Sequence, residues 1–221
     1  MLNERKRLKA LKSYKILDSA AEKAYDDLTQ IASIVCGVPI SLISLVDQER
    51  QWFKSKVGLE VDETPVEQAF CKYTILSDKL LIIPDATQDS RTAKNPLVTG
   101  NPNIRFYAGA PLVTADGFVL GSLCVIDRKP RELDDSQLEI LKRLSNQVVY
   151  LMEYRRVSRK LSEALEEIQN YRKVVPICGH CKSIRSEDGH WYEFENYVKQ
   201  ISVDFSHSVC PNCFETEYNE L

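Results

Sequence analysis

The chain has 221 residues, 43% of them hydrophobic and 28% charged, with a net charge of −3, the balance of a water-soluble globular protein. No run approaches the ~20 uninterrupted apolar residues of a membrane helix, and the charged N-terminus, Met1 to Lys15, lacks the apolar core of a signal peptide. Those features predict a cytoplasmic protein without a membrane partner.

Residues 4 to 35 read as helical. Leu8, Leu11, Ile16 and Leu17 form one apolar stripe, and Tyr25, Leu28, Ile31, Ala32 and Val35 form a second, with a break and new N-cap expected at Asp18-Ser19. Gly37 is the expected stop. Strands follow at Ile40 to Val46 and Gln51 to Val57, and Leu80 to Ile83 reads as a short buried strand stopped by Pro84. Asp85 to Arg105 is a long polar connection, of the kind that carries function. Phe106 to Thr114 and Phe118 to Ile126 flank Ala115-Asp116-Gly117, a tight hairpin turn.

From Asp134 to about Lys173 the pattern is helical without a break, and Asp134, Asp135 and Ser136 suit its N-terminus. Leu138, Leu141, Leu144, Val148 and Leu151 form a stripe suited to packing on the sheet domain. Tyr150, Tyr154, Val157, Leu161, Ala164, Ile168 and Tyr171 form a heptad seam suited to a second copy, so a homodimer through the terminal helices is expected. The organisation is α+β: residues 1–155 a sheet domain, 156–173 a helical linker with coiled-coil character, and 174–221 a small cysteine module.

Absences narrow the chemistry. The only histidines are His180, His190 and His207, so residues 1–179 hold no histidine base or ligand. No phosphate-binding glycine loop and no H-E-x-x-H occurs. The strongest positive signal is Cys178-Gly179-His180-Cys181 with Cys210-Pro211-Asn212-Cys213. Two C-x-x-C knuckles supply four thiolates for a closed, tetrahedral, structural Zn2+ site. A module of this size needs such a staple; the competing reading is a redox dithiol. His180 or His207 can replace one thiolate. Phe194, Tyr197, Val198 and Ile201 read as one helix of the module, and Trp191 as part of its core. Residues 174–221 carry three basic and eight acidic side chains, a surface that repels a phosphate backbone, so no nucleic-acid partner is expected.

Of the scattered cysteines, Cys36 and Cys124 read as small buried hydrophobes. Cys71 also reads first as a packing residue, with a reactive thiol tuned by the adjacent Lys72 as the alternative.

Several stretches resemble a GAF domain of bacterial histidine kinases and diguanylate cyclases: Pro39 to Asp47, Gln51 to Ser55, Glu63-Thr64-Pro65 with Ala69-Phe70-Cys71, Asn95 to Val98, Arg105 to Leu112, and Gly121 to Asp127. The resemblance implies an antiparallel sheet with helices on one face and loops over a pocket on the other, and dimerisation through terminal helices. It also implies a sensory, non-catalytic role with an unidentified small-molecule ligand. Pocket candidates carried over from it are Phe53, Phe70, Cys71, Asp85, Arg105 and Tyr107, with Arg105 the candidate for a ligand anion. Residues 174–221 resemble a four-cysteine module that follows bacterial sensory domains. A signalling protein is the implied partner. Two rivals stay open: a thiol-based reductase using Cys71 with Cys36 or Cys124, and an interaction scaffold whose pocket is filled by its own side chains.

Overall fold

The computed structural model describes residues 2–172, 176–186 and 188–200. They divide into two compact units, the first ending at Leu161 and the second running from Ser162.

The first unit opens with α1 (Leu2–Ser13) and α2 (Lys23–Cys36). The break between them is wider than the sequence suggests. Residues 14–22 leave the helix, Lys15 and Asp18 take left-handed backbone angles, and the N-cap of α2 is Glu22 rather than Ser19. Gly37 ends α2 as expected, at φ 60°, with its N–H returned to the last helical turn.

Six strands then build one antiparallel sheet: β1 (Ile40–Val46), β2 (Arg50–Val57), β3 (Glu63–Pro65), β4 (Leu81–Ile83), β5 (Phe106–Val113) and β6 (Val119–Asp127), in the order β3-β2-β1-β6-β5-β4. β4 is an edge strand, and Ile82 is exposed rather than buried. Short helices α3 (Cys71–Thr74) and α4 (Pro96–Thr99) lie in the connections, and Asn95 caps α4 through Leu97 N–H at 2.9 Å. The long polar connection is thus folded by its own turns.

The central strands are buried on both faces, which is why β1 and β6 read as continuous apolar runs. Alternation sorts their side chains. Ile43, Leu45, Leu123 and Val125 face a core closed by Leu11 and Tyr14 of the N-terminal segment, Ala32 and Cys36 of α2, and Leu141, Val148 and Met152 of α5 (Asp135–Arg172). Leu42, Val46, Cys124 and Ile126 face a second cluster with Phe53, Phe70, Cys71, Ile83, Val98 and Tyr107.

One irregularity matters. β2 pairs Ser55 with Ile43 but Phe53 with Ser44, so Lys54 is an extra residue, a β-bulge. The bulge lets both Lys54 and Ser55 reach the helix side. The fully buried Lys54 ammonium donates to Ser19 Oγ, the Ala20 carbonyl and Glu22 Oε1 at 2.6–2.9 Å, tying the α1–α2 connection down. Ser55 donates to Asp26 and accepts from Thr29.

α5 starts with a reciprocal cap, Asp134 accepting from Gln137 N–H and Gln137 Oε1 accepting from Asp134 N–H. Leu141 and Val148 are its sheet-facing contacts. Val157 lies nine residues beyond Val148, about two and a half turns, on the opposite side. There Tyr150, Tyr154, Val157, Leu161 and Ile168 are each at least half exposed, while the side chain of Tyr171 falls outside the described set.

In the second unit, β7 (Ile184–Arg185) and β8 (Trp191–Tyr192) form a hairpin and α6 (Phe194–Gln200) follows. Ile184 and Val198 are buried, whereas Trp191 is 52% exposed rather than a core residue among the described residues. Ile201, His207, Cys210 and Cys213 lie outside the described residues.

Candidate functional site

The loop-covered face of the sheet carries the chemistry. Alternation places Ser44 of β1, Ser122 and Cys124 of β6, and Tyr107 of β5 on that face, with Ser44 directly opposite Ser122 across the strand pair. α3 lays Cys71 onto them. Three hydroxyls point at its sulfur: Ser122 Oγ at 2.9 Å, Ser44 Oγ at 3.0 Å and Tyr107 OH at 3.3 Å. Thr74 Oγ1 stands 2.7 Å from the Tyr107 oxygen, so it can donate there and leave the phenol proton for Cys71. Cys124 Sγ is 4.0 Å from Cys71 Sγ.

These neighbours set the protonation. Burial raises the Cys71 thiol, but donation from Cys124, Ser122, Ser44 and Tyr107 outweighs it, and the thiol falls to about 6. Lys72 takes no part: its ammonium bonds the Glu67 carbonyl and lies over the Tyr73 ring. The expectation that Lys72 tunes Cys71 is therefore replaced by a hydroxyl cluster. Cys124 is pushed up, first by its bond to Cys71 and then by burial. Cys36, buried without such donors, rises to about 11.

Beside this cluster is a cavity of ≈ 70 Å³, bounded by Leu42, Phe53, Phe70, Cys71, Tyr107 and Cys124 among others. Two polar residues, Gln51 and Thr64, also line it, and they sit opposite each other on β2 and β3. Gln51 Oε1 and Thr64 Oγ1 are buried and have no hydrogen-bond partner among the described residues. The volume is about that of two waters, against ~300 Å³ and more for a site that takes a drug-sized ligand.

Of the six pocket candidates, Phe53, Phe70, Cys71 and Tyr107 line this cavity, and Phe70 and Tyr107 stack at 5.3 Å between ring centres. Asp85 and Arg105 are elsewhere. Asp85 closes a turn by accepting from the N–H and hydroxyl of Thr87, which hold its carboxyl below the usual range. The Arg105 guanidinium donates to the carbonyls of Val98 and Ile104, pinning the connection it ends. Sequence reasoning missed Ser44, Ser122, Gln51 and Thr64. The signal was available for the serines, which interrupt the loop-side face of two otherwise apolar strands.

In the second unit, Cys178 and Cys181 occupy one tight turn. Cys178 exchanges backbone bonds with Ser183 and Lys182, and Lys182 takes φ 64°. Cys181 Sγ lies 3.2 Å from Ser183 Oγ, and as residues Cys178 is partly exposed and Cys181 exposed. A tight turn bearing two thiols fits one half of a tetrahedral zinc site. Of the other candidate ligands, His180 stands in the same turn, while His207, Cys210 and Cys213 are not among the described residues.

Comparison with known proteins agrees with this geometry. A GAF domain model matches residues 20–150, well over half of the chain, and the chain belongs to the GAF domain family. A cyclic di-GMP phosphodiesterase of Pseudomonas aeruginosa is 46% identical over 133 residues, which are 58% of this chain and 23% of that protein. The chain thus spans under a quarter of that relative's length. Among solved structures, the GAF domain of an Acinetobacter phosphoenolpyruvate-protein phosphotransferase superposes with a TM-score of 0.50 at 17% identity, covering 68% of this chain and 93% of that one. The PixJ GAF domain of Thermosynechococcus elongatus, in its blue-light-absorbing form, gives 0.53 at 11% identity, covering 66% and 92%. At these identities the likeness is one of fold. No described helix is long and apolar enough to cross a membrane.

Proposed function

We propose that this chain is a non-catalytic sensory module of a bacterial signalling system. Its GAF domain takes a small ligand, or serves as a dimer scaffold, on behalf of a signalling protein partner. The observation that carries the reading is the loop-covered face, where a small cavity holds buried polar atoms without partners among the described residues, beside a hydroxyl-ringed thiol. Such groups cost free energy until something satisfies them. At ≈ 70 Å³ the cavity is closed to a nucleotide-sized ligand. Binding of one therefore requires the segment that contributes Leu97, Pro102 and Ile104 to move, which gives ligand and conformation a common coordinate.

The exposed stripe of α5, with Tyr154 at 74% and Leu161 at 60%, is the surface proposed to pair with a second copy. Cys178, Cys181, Cys210 and Cys213 are the proposed ligands of one structural Zn2+, which would staple the second unit and present it to a partner. The likeness to part of a cyclic di-GMP phosphodiesterase supports the reading of a regulatory domain in a signalling system.

Native mass spectrometry of the full chain, purified without added metal or ligand, tests this reading. The expected species is a dimer with one zinc per chain, together with a small-molecule mass or, for the scaffold form, none. A metal-free monomer overturns it.

A further inference from the structure

The geometry points to Cys71 as a thiol oxidised by hydrogen peroxide, with Cys124 resolving it as an intramolecular disulfide beneath the loop-covered face. The inference rests on that face being the sensory site and goes beyond it by naming the reagent that the site reads.

Four observations converge. Cys71 and Cys124 line the same cavity, 4.0 Å apart sulfur to sulfur, so a reagent admitted there meets both. The cavity's ≈ 70 Å³ excludes large ligands yet holds a molecule about the size of two waters, and one wall residue, Val61, is exposed, so the space approaches the surface. Gln51 Oε1 and Thr64 Oγ1 are buried acceptors without partners among the described residues, suited to the two O–H donors of hydrogen peroxide. The three hydroxyls on Cys71 supply what a thiolate needs in the absence of a cation, and the downward shift of this thiol agrees with that arrangement.

The chemistry balances. The Cys71 thiolate attacks one peroxide oxygen, forming an S–O bond as the O–O bond breaks. Hydroxide leaves and recovers the proton that Cys71 had released, giving water. The sulfur of Cys124 then attacks Cys71, the S–S bond forms, the S–O bond breaks, and a second water departs with the Cys124 proton. Two thiols and one peroxide become one disulfide and two waters. The sulfurs must close by about 2 Å. That movement draws α3 towards β6 and couples oxidation to the segments over the sheet.

The test is site-resolved oxidation of the reduced full-length chain with stoichiometric hydrogen peroxide, followed by alkylation and peptide mass mapping. Cys36, equally buried but without hydroxyl donors, is the internal control. A Cys71–Cys124 cross-linked peptide is expected, with Cys71 consumed at least about tenfold faster than Cys36. In Cys124→Ser, or Cys124→Ala if the serine variant folds poorly, Cys71 should halt at a sulfenic acid captured by a cyclic dione. Equal rates at Cys71 and Cys36, or oxidation of Cys71 without a Cys71–Cys124 peptide in the parent chain, overturn the inference. Those results leave the dimer and zinc reading untouched, while a metal-free monomer in the native spectrum leaves the thiol chemistry untouched.

Discussion

The two faces of the sheet are made by the same strands and covered by different things. Beneath α1, α2 and α5 the face is mostly apolar, filled by long side chains such as Leu11, Ile43, Leu123 and Val148, with a hydrogen-bonded polar group at the β2 bulge around Lys54 and Ser55. Beneath α3, α4 and the connecting turns, two serines, a tyrosine and two cysteines interrupt the apolar surface, and a cavity remains. Long helices close the centre of a face with several turns of apolar side chains each. Short helices and turns close it piecemeal, leaving room for polar groups and small molecules. Stability is concentrated on one face and chemistry on the other.

The largest effect should come from the helix-covered side. Leu141→Ala removes a fully buried side chain between α5 and the sheet and should cost about 3 kcal/mol. Leu97→Ala, in the partly buried wall of the cavity, should cost about 1 kcal/mol. Urea denaturation of both variants checks the division. Equal losses would break it.

Next is the bulge. Lys54→Ala leaves the Ser19, Ala20 and Glu22 acceptors without their common donor, although Glu22 keeps Arg155 at 3.0 Å. The expected loss is about 2 kcal/mol, below the figure for a wholly buried pair because Glu22 is 40% exposed. The same denaturation series measures it, and a loss under ~0.5 kcal/mol would mean that the ammonium contributes no more than a surface charge.

Much of this was legible in the sequence. Five of the six strands of the sheet, all but β3, the Gly37 stop, the Gly117 turn and the sheet-facing stripe of α5 follow from periodicity and turn chemistry, and the structure has each of them. Pocket candidates read from the family pattern fell into two groups. The apolar and aromatic ones, Phe53, Phe70 and Tyr107, line the cavity, while Asp85 and Arg105 bond to the backbone of their own connection. A charged residue in a turn satisfies whatever lies nearest, and sequence does not reveal which carbonyl that is. Lys72 misled for a related reason: it follows Cys71 in α3, yet its ammonium turns to the exposed Glu67 carbonyl and not to the thiol. The bulge was invisible because one extra residue changes pairing without changing composition. It alone lets the buried Lys54 face the α1–α2 connection.

The smallest effect on stability, and the sharpest on chemistry, should come from Tyr107→Phe. The ring and its packing on Phe70 remain, and one donor to Cys71 is lost, with Thr74 left short of its partner. That should cost about 1 kcal/mol. Cys71 ionises at about 6 in the folded chain against an ordinary 9, so unfolding takes up a proton between those values. Its contribution is fully present above pH 9 and is lost as pH falls towards 6. Tyr107→Phe should therefore lose more stability relative to the parent at pH 9 than at pH 6, and the other thiols cancel in the difference. The Cys71 alkylation profile should move to higher pH in step. Gly109→Ala should act in the same direction, because a Cβ there would meet the Tyr107 hydroxyl at 2.3 Å and drive it from the cluster. A pH-independent difference between parent and Tyr107→Phe would mean that the hydroxyls accept from a neutral thiol, and both faces of the sheet would then be packing alone.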